Sequence, residues 1–486
     1  MLFRYILFLS TKFSHSPIRE CIVTVPSFYG YKERLAISQA ISMTEMKLLS
    51  IVNENIGAAV TYALEKKSNK TENLIFYNMG NSYTQTSLIQ FSIEEIVGSN
   101  NRTSSLTVLK VLAEACDQDL GGRNFNYNLI RYLMKRFDDS PLRKGKLSVQ
   151  NNSKIAEKML AEAIRVKEIL SANKEVNVQV LTLEDNINLQ ERLTRETFDK
   201  INSDEISRAF YTISDVLNRT NLTLDDIDQV EMIGGSVRVP AVLNHLKEKI
   251  GENKLGQHMN GDESVAFGTA FIAANLSSTG VRTKPLPSYY GTNYKLNIRI
   301  KHYEKENMSL CENEINLNNN FTDYVLAEDC VRRINKNITL FNIHQSFDTI
   351  KPITLRLDGD FDIEVFQSFD SLANEEYIMT YRITDVQKTL KAMKNHKVID
   401  SPPKIILKFH MNKQGMLDLK AIINYNFTLW LGLQKGLKEG EIEPVYTSNF
   451  TEPITEEQFE QLMKDHNISN YTETSAYKKR NDVNIL

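Results

Sequence analysis

The stretch LIFYNMGNSYTQTSLIQF, residues 74–91, reads as two β-strands joined by a turn around Gly80. A glycine lets the backbone of such a turn come close to a ligand, so its N–H groups can hold a phosphate chain. The residue that enters the turn is Asn78, where a metal-assisted phosphate site would have a carboxylate. The stretch therefore predicts a hairpin shaped for phosphate and leaves open whether it still binds one.

Composition limits the possible classes of protein. With 486 residues, of which 41% are hydrophobic, the chain is expected to divide into two or three domains. A net charge of −3 gives no basic field that would attract nucleic acid or an anionic membrane. The four cysteines lack zinc-ligand spacing, so no metal site is expected on thiols.

Thirteen N-x-S/T sequons favour a lumenal or extracellular chain, although an Asn-rich sequence also produces sequons by chance. Glycans are predicted at Asn449 and Asn467, which lie in segments without strand or helix periodicity, and none is predicted at Asn275 in an apolar helix. Cys311 and Cys330 flank a polar stretch, and in an oxidising lumen they are predicted to form a disulfide.

Hydrophobic periodicity divides the chain into parts. Strands alternate with helices over residues 1–276, which predicts an α/β domain with helical periodicity over 31–52, 153–171 and 195–218. Residues 277–288 are rich in Ser, Thr, Gly and Pro and read as a linker. Apolar and polar residues then alternate over 289–430, which predicts an antiparallel β-sandwich domain, and 431–486 reads as loop with one short helix.

A second glycine turn occurs in DIDQVEMIGGSVRVPAVLNHLKEKIG, residues 226–251. An apolar strand ends at Gly234-Gly235-Ser236, and a helix begins near Pro240. Two glycines after a strand allow close approach to a ligand, and Arg238 could stack on a flat base. A tight strand-to-helix turn without a ligand would look the same.

The order of several short segments along the chain indicates which class of protein this is. VTVPSFYGYKERLAISQA, NENIGAAVTYAL, FYNMGNSY, DQDLGGRNF, IRVKEILSAN, MIGGSVRVPAV and NGDESVAFGTAFIAA follow one another along the chain, and FHMNKQGMLDLKAII comes later. In this order and spacing they resemble the heat-shock protein 70 family, from about residue 16 to 430. FYNMG, LSAN and the dense sequons are most similar to the large endoplasmic-reticulum branch of that family.

The resemblance implies a partial actin-like ATPase domain that would bind ATP or ADP with magnesium. The loop of the family that wraps the phosphates matches Asn78, Met79, Gly80, Asn81 and Ser82. Glu54 matches a carboxylate that helps to hold the hydrated magnesium, and Pro26 and Arg34 match a relay to the substrate domain. The residues that match the adenosine pocket are Lys167, Gly234, Gly235, Ser236, Arg238 and Asp262.

The resemblance also implies a function. We expect a lumenal chaperone that binds unfolded polypeptide on its β-domain and serves as a nucleotide-exchange partner for another lumenal chaperone. Nothing before residue 16 matches the family's first phosphate-binding hairpin, and no long helical lid follows, so the chain reads as incomplete at both ends. With Asn78 in place of an acid, we expect no turnover of ATP.

Two other functions remain open from the sequence. One is a small-molecule kinase with the same actin-like fold, against which the β-domain argues. The other is a secreted, glycosylated binding module without a nucleotide.

Overall fold

The computed structural model describes residues 1–66, 70–97, 103–184, 187–277, 288–302, 338–355, 361–369, 375–383, 404–424, 440–442 and 445–447. Cys311, Cys330, Asn449 and Asn467 lie outside these ranges, as do most of the expected linker and nearly all of the tail, including the segment expected to form a short helix.

Helices and strands alternate through the first part of the chain, as predicted for an α/β domain. The helices among the described residues are α1 (Leu2–Ser14), α2 (Tyr31–Ser42), α3 (Glu54–Glu65), α4 (Gly122–Asp138), α5 (Ser153–Ala172), α6 (Arg195–Ile201), α7 (Ser203–Arg208), α8 (Tyr211–Thr220), α9 (Pro240–Ile250) and α10 (Ser264–Leu276). The strands of this part are β1 (Glu20–Val25), β2 (Lys47–Asn53), β3 (Glu72–Met79), β4 (Thr84–Val97), β5 (Thr103–Asp117), β6 (Glu175–Glu184), β7 (Ile187–Thr194), β8 (Gln229–Ile233), β9 (Leu255–Gly256) and β10 (Ser288–Tyr289).

A six-stranded sheet in the order β10-β5-β4-β3-β8-β9 carries the predicted hairpin. Side chains of β3 alternate between two cores, with Ile75 and Tyr77 facing one and Leu74 and Phe76 facing the other. Helices α4, α5, α8 and α9 cover the first face, and α3 and α10 cover the second. Because β3 and β8 are parallel, their carboxyl ends meet at one edge, and the hairpin lies beside the turn that follows β8.

The later strands form two antiparallel sheets. They are β11 (Lys295–His302), β12 (Ile338–Phe341), β13 (Thr349–Leu355), β14 (Phe361–Ser368), β15 (Glu376–Ile383), β16 (Lys404–Met411), β17 (Leu417–Asn424), β18 (Gly440–Ile442) and β19 (Val445–Thr447). One sheet has the order β12-β11-β14-β15-β19 and the other β13-β16-β17-β18, and both contribute to one hydrophobic core. Ile405, Leu407 and Phe409 enter that core from the same face of β16. The β-sandwich, the division of the chain into four segments and the helical tail stay predictions.

The β-domain, defined here by the predicted range 289–430, is in contact with the first part of the chain. Tyr31 of α2 packs in the β-domain core, and its backbone N–H donates to Gln367 Oε1 at 2.8 Å. Ser50 Oγ of β2 donates to the carbonyl of Lys413 at 2.6 Å. Ser288–Tyr289 also pairs in parallel with β5, at the edge of the six-stranded sheet. The surface formed by α2, β2 and the middle of β5 is therefore in contact with the β-domain.

Helical periodicity over 31–52 was a wrong guide to the second half of that segment. Helix α2 ends at Ser42, where the hydroxyl of Thr44 donates to the carbonyl of Ile41 at 2.7 Å, and Lys47–Asn53 is a strand. That strand pairs in parallel with β1. Pairing with an available strand outweighs the local helical pattern.

The long helix expected over 195–218 is also corrected, because the chain forms three short helices there. The first break falls at Asn202, which is fully buried and donates its side-chain amide to the carbonyl of Phe198 at 2.8 Å. Such side-chain bonds to the backbone compete with a helix. Asn275, expected on a buried helix, is exposed on α10, so burial gives no reason for its sequon to be unmodified.

Candidate nucleotide site and interdomain relay

Three glycine turns that are far apart in sequence meet at the end of the six-stranded sheet. The amide of Gly80 donates to the carbonyl of Tyr83 at 3.1 Å, which closes the hairpin turn. The carbonyl of Gly80 accepts from the amide of Gly122 at 3.0 Å and from Ser236 Oγ at 2.7 Å. The predicted loop Asn78–Ser82 is thus joined to both other turns by hydrogen bonds.

Two of these glycines are required by close backbone approach. A Cβ atom on Gly121 would lie 2.5 Å from the carbonyl oxygen of Asn81. One on Gly234 would lie 2.5 Å from the carbonyl oxygen of Met79, and Gly234 also has a positive φ of 85°. Glycine fits here because any larger residue would separate the loops.

A single lysine reaches these loops from helix α5. Lys167 Nζ donates to the carbonyl of Gly122 at 3.1 Å, and burial lowers the pKa of this ammonium group below its ordinary value. Its position beside the turn at Gly121-Gly122 suits an anionic ligand.

The remaining residues of the predicted adenosine pocket differ in exposure. Arg238 and Asp262 are both largely exposed, and their side chains pair at 3.4 Å. Gly235 has open space around its Cα, whereas Ser236 is buried against the hairpin. The structure thus brings Ser236 and Lys167 to the phosphate loop and leaves Arg238 with Asp262 at its rim.

Glu54, the first residue of α3, is held by side chains of the hairpin. Tyr83 Oη donates to Glu54 Oε1 at 2.6 Å, and Gln85 Nε2 donates to Glu54 Oε2 at 2.5 Å. Asn78 Nδ2 lies 3.4 Å from the same Oε2. Burial raises the pKa of the Glu54 carboxyl, and the bonds from Tyr83 and Gln85 partly oppose that rise. Both carboxylate oxygens are therefore satisfied by neutral groups of the chain itself.

These residues do not fit a hydrated magnesium ion. Magnesium prefers charged oxygen ligands and keeps several of its waters, which need acceptors around them. Glu54 accepts from Tyr83 and Gln85 instead, and Asn78 supplies a neutral amide. Within the described ranges no group of three His, Cys, Asp or Glu residues could hold a metal ion.

Gln85 connects this site to the loop after β1. Its Oε1 accepts from the backbone N–H of Ser27 at 3.0 Å, while its Nε2 is bonded to Glu54. Phe28 packs edge-on against Tyr83, with ring centroids 5.1 Å apart. Pro26, which is buried directly before this pair, is thus held against the phosphate hairpin.

Arg34, the second expected relay residue, is fully buried on α2. Its guanidinium donates to Asn53 Oδ1 at 2.5 Å and to the carbonyls of Tyr29 and Ile51 at 3.3 Å each. Burial lowers the pKa of this guanidinium. Asn53, at the start of α3, also donates to Glu114 Oε2 at 2.8 Å, which carries the network into β5.

Sequence reasoning missed Gln85, Asn53 and Glu114. A signal for Gln85 exists in the run Thr84–Ser87, four polar residues with no exposed surface in the middle of a sheet. A buried polar side chain must have a partner, so such a run indicates a hydrogen-bonded network. Asn53 and Glu114 carry no comparable signal, since their partners are distant in sequence.

The comparisons with known proteins agree with this geometry. A family model described as Hsp70 protein matches residues 5–288. The chain belongs to the Hsp70 family. The matched range holds all three glycine turns and the six-stranded sheet up to Ser288, and their mixed helices and strands are consistent with the actin-like α/β ATPase domain of the family.

Individual relatives match over just over half of the chain. Heat shock 70 kDa protein 17 of Arabidopsis thaliana is 34% identical over 55% of this chain and 31% of its own length. Hypoxia up-regulated protein 1 of Xenopus tropicalis is 31% identical over 59% of this chain and 44% of its own length. The Danio rerio protein of that name is 31% identical over 59% of this chain and 29% of its own length. The matches thus span less than half of these relatives.

A membrane-spanning helix is not found among the described residues. Cys21 and Cys116, the two cysteines within the described ranges, are both free.

We predict that Tyr83→Phe destabilises the protein, because the hydroxyl is a donor to a partly buried carboxylate. The expected loss is about 1.5–3 kcal/mol near neutral pH, the range for a hydrogen bond to a charged group. The loss should shrink in acid, where Glu54 is protonated and needs no donor. Chemical unfolding at neutral and at acidic pH measures the change in the free energy of unfolding. The control is Tyr127→Phe, which alters an exposed ring. Equal effects of the two variants would contradict the assignment.

Proposed function

We propose that this chain is a polypeptide-binding chaperone of the large endoplasmic-reticulum branch of the Hsp70 family, and that it does not turn over ATP. Family membership supports the first half of this proposal. The second half is carried by Glu54, whose two oxygens accept from Tyr83 and Gln85 where the family would place a hydrated metal.

Phosphoryl transfer needs the developing charge on the phosphate to be offset electrostatically, usually by magnesium between phosphate and carboxylates. Asn78 has a neutral amide side chain, so it cannot supply the carboxylate charge that would hold the magnesium. Glu54 already uses two of the about four acceptor sites of its carboxylate on Tyr83 and Gln85. These bonds fix its orientation toward the hairpin, so a metal's water shell would have to compete with them or use the sites that remain.

Weak binding of ADP or ATP remains compatible with the site. The loop Asn78–Ser82 is joined by hydrogen bonds to the turns at Gly122 and Ser236, and Lys167 bonds to Gly122, which supports one shared ligand position at the sheet edge. These groups would hold phosphates, and Arg238 with Asp262 would face the adenosine. No magnesium is needed for such contacts.

The β-domain, residues 289–430 in our division of the chain, would bind unfolded polypeptide. It follows an α/β domain of residues 1–276 and a linker of residues 277–288. The thirteen sequons and the similarity to hypoxia up-regulated protein 1 favour the endoplasmic-reticulum lumen. There the chain would assist a standard lumenal chaperone, as an exchange partner for its nucleotide.

Steady-state phosphate release tests the catalytic half of the proposal. The chain should show no magnesium-dependent release, and Asn78→Asp alone should restore none, because Tyr83 and Gln85 still occupy Glu54. Magnesium-dependent turnover by the unmodified chain, abolished by Glu54→Ala, would refute this half.

Light scattering of an aggregating client tests the other half. The full chain, at an equal molar ratio, should delay aggregation of a chemically unfolded protein. A small-molecule kinase of the same fold would instead phosphorylate a sugar and leave the scattering unchanged. Absence of any delay, with or without nucleotide, would contradict the chaperone assignment.

A further inference from the structure

Glu114 of β5 is a buried carboxyl group that the nucleotide site does not use. It is 1% exposed and lies where the six-stranded sheet meets the β-domain. Its Oε1 accepts from Ser87 Oγ at 3.0 Å, and its Oε2 accepts from Asn53 Nδ2 at 2.8 Å. Both donors are neutral, so no cation contacts this carboxyl directly through these bonds.

A buried cation, Arg34, is linked to Glu114 through one intervening side chain. Asn53 stands between Glu114 and the guanidinium of Arg34. The β-domain covers this arginine: a Cβ atom added to Gly415 would lie 3.5 Å from Arg34 Cδ, and Tyr294 Oη donates to the carbonyl of Gly415 at 3.2 Å. The β-domain thus keeps water away from the whole group.

The β-domain also contributes an ionisable side chain. His344 lies between β12 and β13, and its Nδ1 is 4.0 Å from Glu114 Oε2. The residue has a positive φ of 57°, which is uncommon outside glycine, and its amide donates to the carbonyl of Thr292 at 2.9 Å. The imidazole therefore lies near the carboxyl group but beyond hydrogen-bond distance of it.

We propose that Glu114 holds a proton when the β-domain is docked, and that docking weakens when this proton is lost. With the proton on the carboxyl, a neutral group is buried. Without it, a buried carboxylate remains that accepts only from the neutral donors Ser87 and Asn53, which is the costly case in a dry interface.

The electrostatics agree with this geometry. Burial raises the pKa of Glu114 to about 7, and the opposing effects of Ser87, Asn53 and Arg34 are smaller. A raised pKa means that the docked state binds more protons than a state in which the group is solvated. The stabilisation is complete below the ordinary value of 4.5 and is lost as the pH rises through about 7.

Other charged groups near Glu114 are already matched or remain protonated. Arg219 donates to the Glu114 carbonyl at 3.2 Å and pairs with Asp215, while Asp117 pairs with Arg208. Burial raises the pKa of Cys116 to about 12, so this thiol keeps its proton at neutral pH. Arg34 is the charged group on α2 that faces the carboxyl.

Hydrogen exchange measures docking at two amides of the first domain that donate to the β-domain. These are Tyr31, bonded to Gln367 Oε1 at 2.8 Å, and Ile51, bonded to the Lys413 carbonyl at 3.4 Å. In the full chain, the protection factors of these two amides, corrected for intrinsic exchange rates, should fall about tenfold between about pH 6 and about pH 8. A tenfold change in the docking equilibrium corresponds to one pKa unit. In Glu114→Gln, which is neutral at both pH values, they should not fall.

Glu231→Gln is the matched control. Glu231 is also fully buried and faces a histidine, His258, at 2.9 Å, but it lies on β8 away from the β-domain. This variant should keep the pH dependence at Tyr31 and Ile51. Constant protection of both amides in the unmodified chain, or the same fall in Glu114→Gln, would overturn the proposal. If Glu114→Gln does not fold, the unmodified chain decides alone, with amides of β3 as the internal reference.

Discussion

The carboxylate of Glu54 imposes the constraint on which this structure depends. A partly buried carboxylate must be given donors, and in this chain they are the hydroxyl of Tyr83 and the amide of Gln85. The phosphate hairpin is thereby tied to α3 without any ion. Gln85 also accepts from the backbone N–H of Ser27, so the same side chain fixes the loop that begins at Pro26. One side chain thus couples the candidate nucleotide site to the first element of the relay.

From that loop the network continues to the β-domain through neighbouring buried groups. Arg34 bonds to the carbonyl of Tyr29 and to Asn53, and Asn53 bonds to Glu114. His344 approaches Glu114 from the other side of the interface. Arg34 donates the charged bonds of this network, and Asn53 carries it on to the carboxyl of Glu114. The contact between the two domains is therefore made by side chains of this chain, with its charge balance set at Glu114.

The sequence predicted the parts of this arrangement that depend on local pattern. The glycine turns at Gly80 and Gly234 were predictable because each follows an apolar strand pattern, and the resemblance to the family supplied the order of the segments. The core-facing side of β16 could be predicted because apolar residues alternate with polar ones along that strand. Hydrogen-bond partners that are distant in sequence could not be predicted, because no local pattern around Asn53 indicates that it bonds to both Arg34 and Glu114. Local pattern also failed where pairing competed with it, as at Lys47–Asn53, and where Asn202 interrupts a helical run.

The effect of magnesium on ADP affinity tests the central claim most directly, namely that the chain satisfies Glu54 with its own side chains and leaves no place for the ion. Calorimetric titration of the full chain with ADP, in chelator and then in magnesium, gives both dissociation constants. We expect them to agree within about twofold, with weak binding in both cases. Tightening by about tenfold or more in magnesium, lost in Glu54→Ala, would contradict the account.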